Sequence, residues 1–360
     1  MASQPIRNRM PRRDLPFFRG RATCSVLPPH ILIAICENGT IEERERALAT
    51  LILSERLRAR RELLSSLPSG TPAGEKRRTV YDARHRESLP GKLVRAEGGP
   101  PSADVEVNEA YDGAGATYDL YEEVYGRSSI DGRGMRLDSS VHYGFGYDNA
   151  FWNGSQMVYG DGDGRLFERY TKSVDVIGHE LTHGVTAHEA NLDYHDQPGA
   201  LNESFSDVFG SLVKQRVLNQ KAQEADWLIG EGLFTPRVHG SALRSMKAPG
   251  TAYDDPVLGK DPQPANMKGY VSGPEDDGGV HINSGIPNHA FYLAAVAIGG
   301  FAWEKAGKIW YVALTERLRH DSDFAAAARL TAAAAAGLFG AGGKEETAVR
   351  EAWRAVGVRL

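Results

Sequence analysis

Residues 176–187, VIGHELTHGVTA, set His179, Glu180 and His183 in the pattern H-E-x-x-H, in a stretch with nothing to break a helix. Histidines four apart on an α-helix lie one turn above each other on the same face, so both imidazoles can reach one zinc ion. Glu180, beside the first of them, then faces the water to be activated. The pattern also recurs by chance in unrelated helices, so the surrounding chain has to supply the rest of a site. A catalytic zinc takes three protein ligands and keeps one position open. The stretch 200–207, ALNESFSD, offers the third. Glu203 and Asp207 share a helix face, the first able to bind metal and the second to accept the remaining N–H of a ligating histidine.

The elements that must position these groups follow from composition and periodicity. The chain has 360 residues, 25% of them charged and 41% hydrophobic, values of an ordinary globular protein large enough for two domains. A net charge of −5 argues against nucleic acid as a partner, since phosphate neutralisation needs a basic surface. No stretch approaches the roughly 20 apolar residues of a membrane helix. The nearest, residues 30–36, follows Pro28 and Pro29 and lacks a small-residue cleavage site, so no classical signal peptide is read. The expectation is a cytoplasmic enzyme, or one exported by an unconventional route. Two cysteines, Cys24 and Cys36, form no disulfide framework and fit either compartment.

Three segments are expected. Residues 1–74 begin with an arginine-rich arm and continue, after the capping box of Thr40 and Glu43, into an amphipathic helix carrying Ala47, Leu48, Leu51, Leu57 and Leu64. Pro68, Gly70, Pro72 and Gly74 then mark an exposed linker suited to cleavage. Residues 75–172 read as a β-rich domain, with strands at 78–83 and 135–143, an edge strand at 150–160, and a helix over 105–125 interrupted by Gly113 and Gly115. The run 160–164, GDGDG, lacks EF-hand spacing and reads as a tight glycine turn. Residues 173–360 are helical, with helices at 201–218, 287–298, 303–319, 324–338 and 345–356. The fold class is α+β, a β-rich domain followed by a helical one.

HELTHGVT, NESFSDVFGSL, LRSM at 243–246 and DDGGVHINSG at 276–285 together resemble the thermolysin family of neutral zinc metalloproteases, over roughly residue 76 to the C-terminus. The short front segment, with Pro28-Pro29-His30, is similar to the compact propeptides of the protealysin-like branch. Thermolysin is itself the reference example of a His2Glu zinc site, so the set His179, His183 and Glu203 is carried over from it as well as read from spacing. The resemblance further implies a two-domain fold with the zinc helix at the floor of the cleft between the domains, Asp207 orienting His179 and Asn202 supporting His183. Glu180 would take the proton of the attacking water, Tyr194 and His281 would stabilise the oxyanion, and Asp276 would hold His281. Asn149 and the Ala150 carbonyl would bind substrate, and Arg244 the carbonyl of the residue after the cut. Phe167, Val176, Ile229 and Leu243, with Tyr170 at the rim, match the pocket for that residue's side chain, which predicts cleavage before Leu, Phe, Ile or Val.

Two departures from the family pattern matter. Asp175, Asp226 and Glu231 remain of a carboxylate cluster that binds two calcium ions in many members, but Lys214 and Leu228 stand where two further ligands would be. A lysine ammonium can replace a cation's charge, so at most weak calcium binding is expected there. Protein and peptide substrates are the implied partners, together with residues 1–74 as an intramolecular inhibitor. Within that inhibitor either residues 28–33 fill the substrate groove or Cys24 ligates the zinc as a thiolate switch. The competing reading is a catalytically inactive thermolysin-like binding protein with a structural zinc.

Overall fold

The computed structural model describes residues 25–64 and 75–360. Cys24, the arginine-rich arm and the linker at 68–74 lie outside the described residues. Helix α1 (Pro29–Asn38) starts on a proline, whose missing N–H costs nothing at a helix start, and buries Ile31, Leu32, Ile35 and Cys36. The capping box opens α2 (Ile41–Leu64): Thr40 N donates to Glu43 at 2.8 Å, and Glu43 N to Thr40 Oγ1 at 3.3 Å. Ala47 and Leu51 are buried, as the spacing predicts.

The part of the chain that follows α2 is built on a five-stranded mixed sheet in the order β2-β1-β3-β5-β4, with β1 Arg78–Asp82, β2 Lys92–Ala96, β3 Leu137–Val141, β4 Ala150–Trp152 and β5 Met157–Tyr159. Three expectations change here. The strand read over 135–143 is limited to β3. The single edge strand read over 150–160 is a hairpin, because Asn153 Oδ1 accepts from the backbone N–H groups of Ser155 and Gln156, both at 2.9 Å, and folds the chain back. Helix α3 (Val105–Asp119) runs through Gly113 and Gly115 and continues into a π-helical turn, Leu120–Val124. Those glycines are contact points, one against Ile177 and the other against Arg78. The run 160–164 is a turn as expected, with Asp163 Oδ1 accepting from the backbone of Arg165, Leu166 and Phe167.

The remainder is mainly helical, with α4 Val174–His188, α5 Asp196–Val217, α6 Asp276–Asn283, α7 Gly285–Ile298, α8 Ala306–Glu316, α9 Phe324–Phe339 and α10 Lys344–Ala355; between α5 and α6 the chain forms two short two-stranded sheets, Leu228–Ile229 with Arg244–Ser245 and Asp254–Asp255 with Gly259–Lys260, which the helical reading did not include. The alanine-rich α9 is capped by Asp323, which accepts from Ala326 N at 2.7 Å. No helix among the described residues is long and apolar enough to cross a membrane.

One crossing matters most for function. Helices α4 and α5 meet at Gly178 and Gly210, and a Cβ placed on Gly178 would lie 3.0 Å from the Gly210 Cα. Backbone-to-backbone approach of this kind needs both side chains absent. It brings His179, the next residue on α4, within reach of α5.

Candidate active site

His179 and His183 project from α4, buried, and their Nε2 atoms face each other at 3.0 Å. Each Nδ1 is committed elsewhere: His179 Nδ1–H donates to Asp207 Oδ1 at 2.8 Å, and His183 Nδ1–H to Asn202 Oδ1 at 2.8 Å. With the protons on Nδ1, both Nε2 atoms present lone pairs to the same point. Glu203 on α5 comes within 3.5 Å of each Nε2, and its Oε2 is buried with no hydrogen-bond partner. Two imidazole lone pairs and a buried carboxylate converging on one point are a donor set that could hold a divalent metal ion such as zinc. Glu180 lies beside it, its Oε2 accepting from the Trp152 backbone N–H at 3.0 Å. That bond ties α4 to the sheet's edge hairpin.

A second layer fixes the first. Asp207 accepts from His179, from Arg244 Nε and Nη2 at 2.8 Å each, and from Asn288 Nδ2 at 2.8 Å. Burial opposes its charge, but Arg244 and His179 outweigh it and hold the carboxyl well below the usual range. Opposite the histidines, Tyr194 OH hydrogen-bonds Glu203 and lies 3.2 Å from His281 Nε2. His281 Nδ1–H donates to Asp276 Oδ1 at 2.6 Å. Burial would lower the His281 pKa, yet Glu203 and Asp276 lift it to about 9. Asp277, Gly278 and Gly279 take left-handed conformations (φ 50°, 88° and 77°), wrapping the start of α6 so that His281 faces the zinc helix.

The groove beside these residues holds the chain's own residues 25–27. Ser25 pairs antiparallel with Phe151, continuing the sheet beyond β4. Val26 N donates to Ala150 O at 3.3 Å, Leu27 N to Asn149 Oδ1 at 3.0 Å, Asn149 Nδ2 to Leu27 O at 3.3 Å, and Arg244 Nη1 to Val26 O at 3.0 Å. This is strand addition to an open sheet edge. The groove was expected to hold residues 28–33. Most of that stretch is instead α1, whose His30 Nε2 lies 3.0 Å from Tyr253 OH. Phe167, Val176, Ile229 and Leu243 are all fully buried in the same apolar cluster as Val26.

The sequence reading missed Asn288, Ser206 (Oγ 3.0 Å from His183 Nδ1) and Gln263, which donates to the His281 carbonyl at 2.8 Å. Asn288 had one signal, a polar residue that, with His289 beside it, interrupts the apolar run of α7. At the other end of the helix pair, Lys214 Nζ lies 2.8 Å from Asp226, 3.3 Å from Glu231 and 3.5 Å from Asp175, and donates to the Leu228 carbonyl at 3.3 Å.

Comparison with known proteins bears directly on this geometry. Residues 73–187 match the family model described as the thermolysin metallopeptidase catalytic domain, and residues 190–358 match its alpha-helical domain. An extracellular metalloprotease of Pectobacterium carotovorum is 51% identical over 95% of this chain and 98% of its own length. Protease PrtS of a Photorhabdus strain is 46% identical over 93% and 92%. The solved precursor of protealysin, a metalloproteinase from Serratia proteamaculans, is 54% identical, superposes with a TM-score of 0.86 and covers 93% of this chain and all of its own. The expectation of a cytoplasmic enzyme, or of unconventional export, is overturned by the first of these, an extracellular protein matched almost end to end. Within the apolar stretch 30–36 on which that expectation leaned, Ile31, Leu32, Ile35 and Cys36 form the buried face of α1, so its hydrophobicity reports packing and carries no information on targeting. The chain belongs to the thermolysin family of metallopeptidases, with the two-part fold and the His-Glu-His cluster of that family.

Proposed function

We propose that the chain is the latent form of an extracellular zinc endopeptidase that cleaves on the amino side of large hydrophobic residues. The observation that supports this most is the convergence of the two Nε2 lone pairs and the Glu203 carboxylate beside a groove occupied by the chain's own residues 25–27. His179, His183 and Glu203 hold the zinc, which when bound supplies a Lewis acid that makes water nucleophilic near neutral pH. Asp207 and Asn202 keep both imidazoles in the Nδ1–H tautomer. Glu180, aimed by the Trp152 N–H, accepts the proton of the attacking water and passes it to the leaving amine. Tyr194 and His281, the latter steadied by Asp276, donate to the oxyanion. Asn149, Ala150 and Arg244 align the substrate backbone as they now align Val26 and Leu27, and Phe167, Val176, Ile229 and Leu243 receive the side chain after the cut.

Residues 1–74 act as the propeptide, 75–172 as the β-rich and 173–360 as the helical catalytic domain. Latency follows from occupancy: with residues 25–27 bonded to every backbone-aligning group just named, a substrate has no edge to join. Cys24 lies outside the described residues, and groove filling accounts for latency without a thiolate. Lys214 takes the calcium ligands' charge at Asp175, Asp226 and Glu231. The test is peptide hydrolysis by full-length and cleaved chain, with and without a zinc chelator, beside Glu180→Ala. Activity of the uncleaved chain equal to that of the cleaved one would remove the latency claim, and activity surviving in Glu180→Ala would remove the mechanism.

A further inference from the structure

Away from the cleft, three carboxylates surround one imidazole. Asp104 caps α3, accepting from Glu106 N at 3.0 Å, and Glu106 sits in the first turn. His142 follows β3, and Asp161 follows β5 at the glycine turn. His142 Nε2–H donates to Asp104 Oδ2 at 2.8 Å, which orients the ring; Nδ1 faces a carboxylate as well, so these contacts favour the imidazolium, and a metal ion would take the place of the Nδ1 proton. His142 Nδ1 then points between Asp161 Oδ1, at 3.0 Å, and Glu106 Oε2, at 4.0 Å. Glu106 is 9% exposed, and its Oε2 is buried with no hydrogen-bond partner. Arg169, the cation that could answer it, is held by Glu109 through two hydrogen bonds of 2.8 and 2.6 Å. The outer face is lined by His85, whose Nδ1 is 3.3 Å from Asp161 Oδ2.

We propose that Glu106, His142 and Asp161 form a second metal site, separate from the catalytic one, for a divalent transition-metal ion. Their ligand atoms all lie within 4.8 Å of one another, a spread that a small inward turn of the side chains contracts around an ion at ~2.0–2.2 Å from each. The Asp104–His142 pair reproduces the carboxylate–histidine arrangement that aims a ligating ring nitrogen. One imidazole with two carboxylates favours zinc, cobalt or manganese over calcium, which prefers six to eight oxygens. His85 or water completes the coordination. Such an ion would cross-link the start of α3, the end of β3 and the turn whose Asp163 fixes the backbone of Phe167.

The test is metal content of the full chain after equilibration with micromolar free zinc, with parallel cobalt, manganese and calcium arms. Two equivalents of zinc are expected for the wild-type chain, and one for Glu106→Gln and for Asp161→Asn, both leaving the catalytic zinc and the peptidase activity of the activated enzyme in place. Anomalous scattering at the zinc edge from wild-type crystals should place the second ion between His142 and Asp161, a readout that needs neither variant to fold. One equivalent in every transition-metal arm would overturn the proposal in favour of an imidazolium bridging Asp104 and Asp161. A second equivalent retained by both variants, an anomalous peak elsewhere, or occupancy by calcium alone would overturn it equally.

Discussion

The helix pair α4 and α5 carries two buried carboxylates, Glu203 and Asp175, whose surroundings resolve the same electrostatic problem in opposite ways. At one end, Glu203 meets two imidazole lone pairs and a tyrosine hydroxyl, while the neighbouring guanidinium of Arg244 is tied to Asp207. At the other, one helical turn earlier on α4, Asp175 is equally buried but faces the Lys214 ammonium. A buried charge without a counter-charge is strongly destabilising; at the first cluster His281 Nε2, 3.7 Å from Glu203 Oε1, answers part of it while Glu203 Oε2 keeps no hydrogen-bond partner, whereas the second carries its own cation. An open cluster gains chemistry and becomes dependent on metal supply. A closed cluster gains independence from metal and can do no chemistry.

The sharpest way to break this contrast is at Glu180. Glu180→Gln should lower kcat of the activated enzyme by about 10²- to 10⁴-fold, the usual worth of a general base, while metal analysis shows zinc retained. Loss of zinc together with activity would mean that Glu180 belongs to the metal-holding set, and the open cluster would be wrongly drawn. His281→Gln comes next, with an expected loss of roughly 10²- to 10³-fold carried mainly in kcat, because an oxyanion donor acts in the transition state. A change confined to KM would make His281 a substrate-positioning group.

Much of the open cluster was legible from spacing alone, because a helix fixes which residues share a face: His179 with His183, and Glu203 with Asp207. Contacts made by backbone atoms were not. Residues 25–27 occupy the groove through N–H and C=O groups that any sequence carries, so the reading settled on the more distinctive Pro28-Pro29 instead. The hairpin at 150–159 had a signal in Asn153-Gly154, outweighed by the apolar residues on either side. Gly113 and Gly115 look like helix breakers in one dimension; only the neighbouring Ile177 and Arg78 reveal them as points of close packing. Asn288 lies 81 residues from Asp207, the partner that explains it, and no local pattern links the two.

The closed cluster can be opened. Lys214→Met should destabilise the chain by about 3–5 kcal/mol, since Asp175 would be left as an unanswered buried charge. Lys214→Glu should restore an acidic set, so that calcium raises Tm in the variant and does so much less in the wild-type chain. An equally large calcium-dependent rise in wild type would show that the lysine does not substitute for the ion, and the contrast between the two clusters would collapse.

A third buried carboxylate shows what happens with neither metal nor lysine. Asp148, beside the groove residue Asn149, is 4% exposed, and its Oδ1 has no hydrogen-bond partner. Burial, with the charge of Asp163 adding to it, lifts its pKa from 3.8 to about 8, so at neutral pH the charge is answered by a proton. The folded-state pKa lies above the unfolded one. Folding therefore favours the protonated form, and the associated stability is complete below pH ~4 and erodes as pH rises through the window to about 8. Asp148→Asn keeps the shape of the neutral acid and cannot ionise. Its Tm should match wild type near pH 4 and exceed it by a margin that grows up to pH 8, the one of these effects with a defined pH course. A difference in Tm that stays constant across that range would mean Asp148 is ionised in the folded chain, and some cation would then have to be found for it as well.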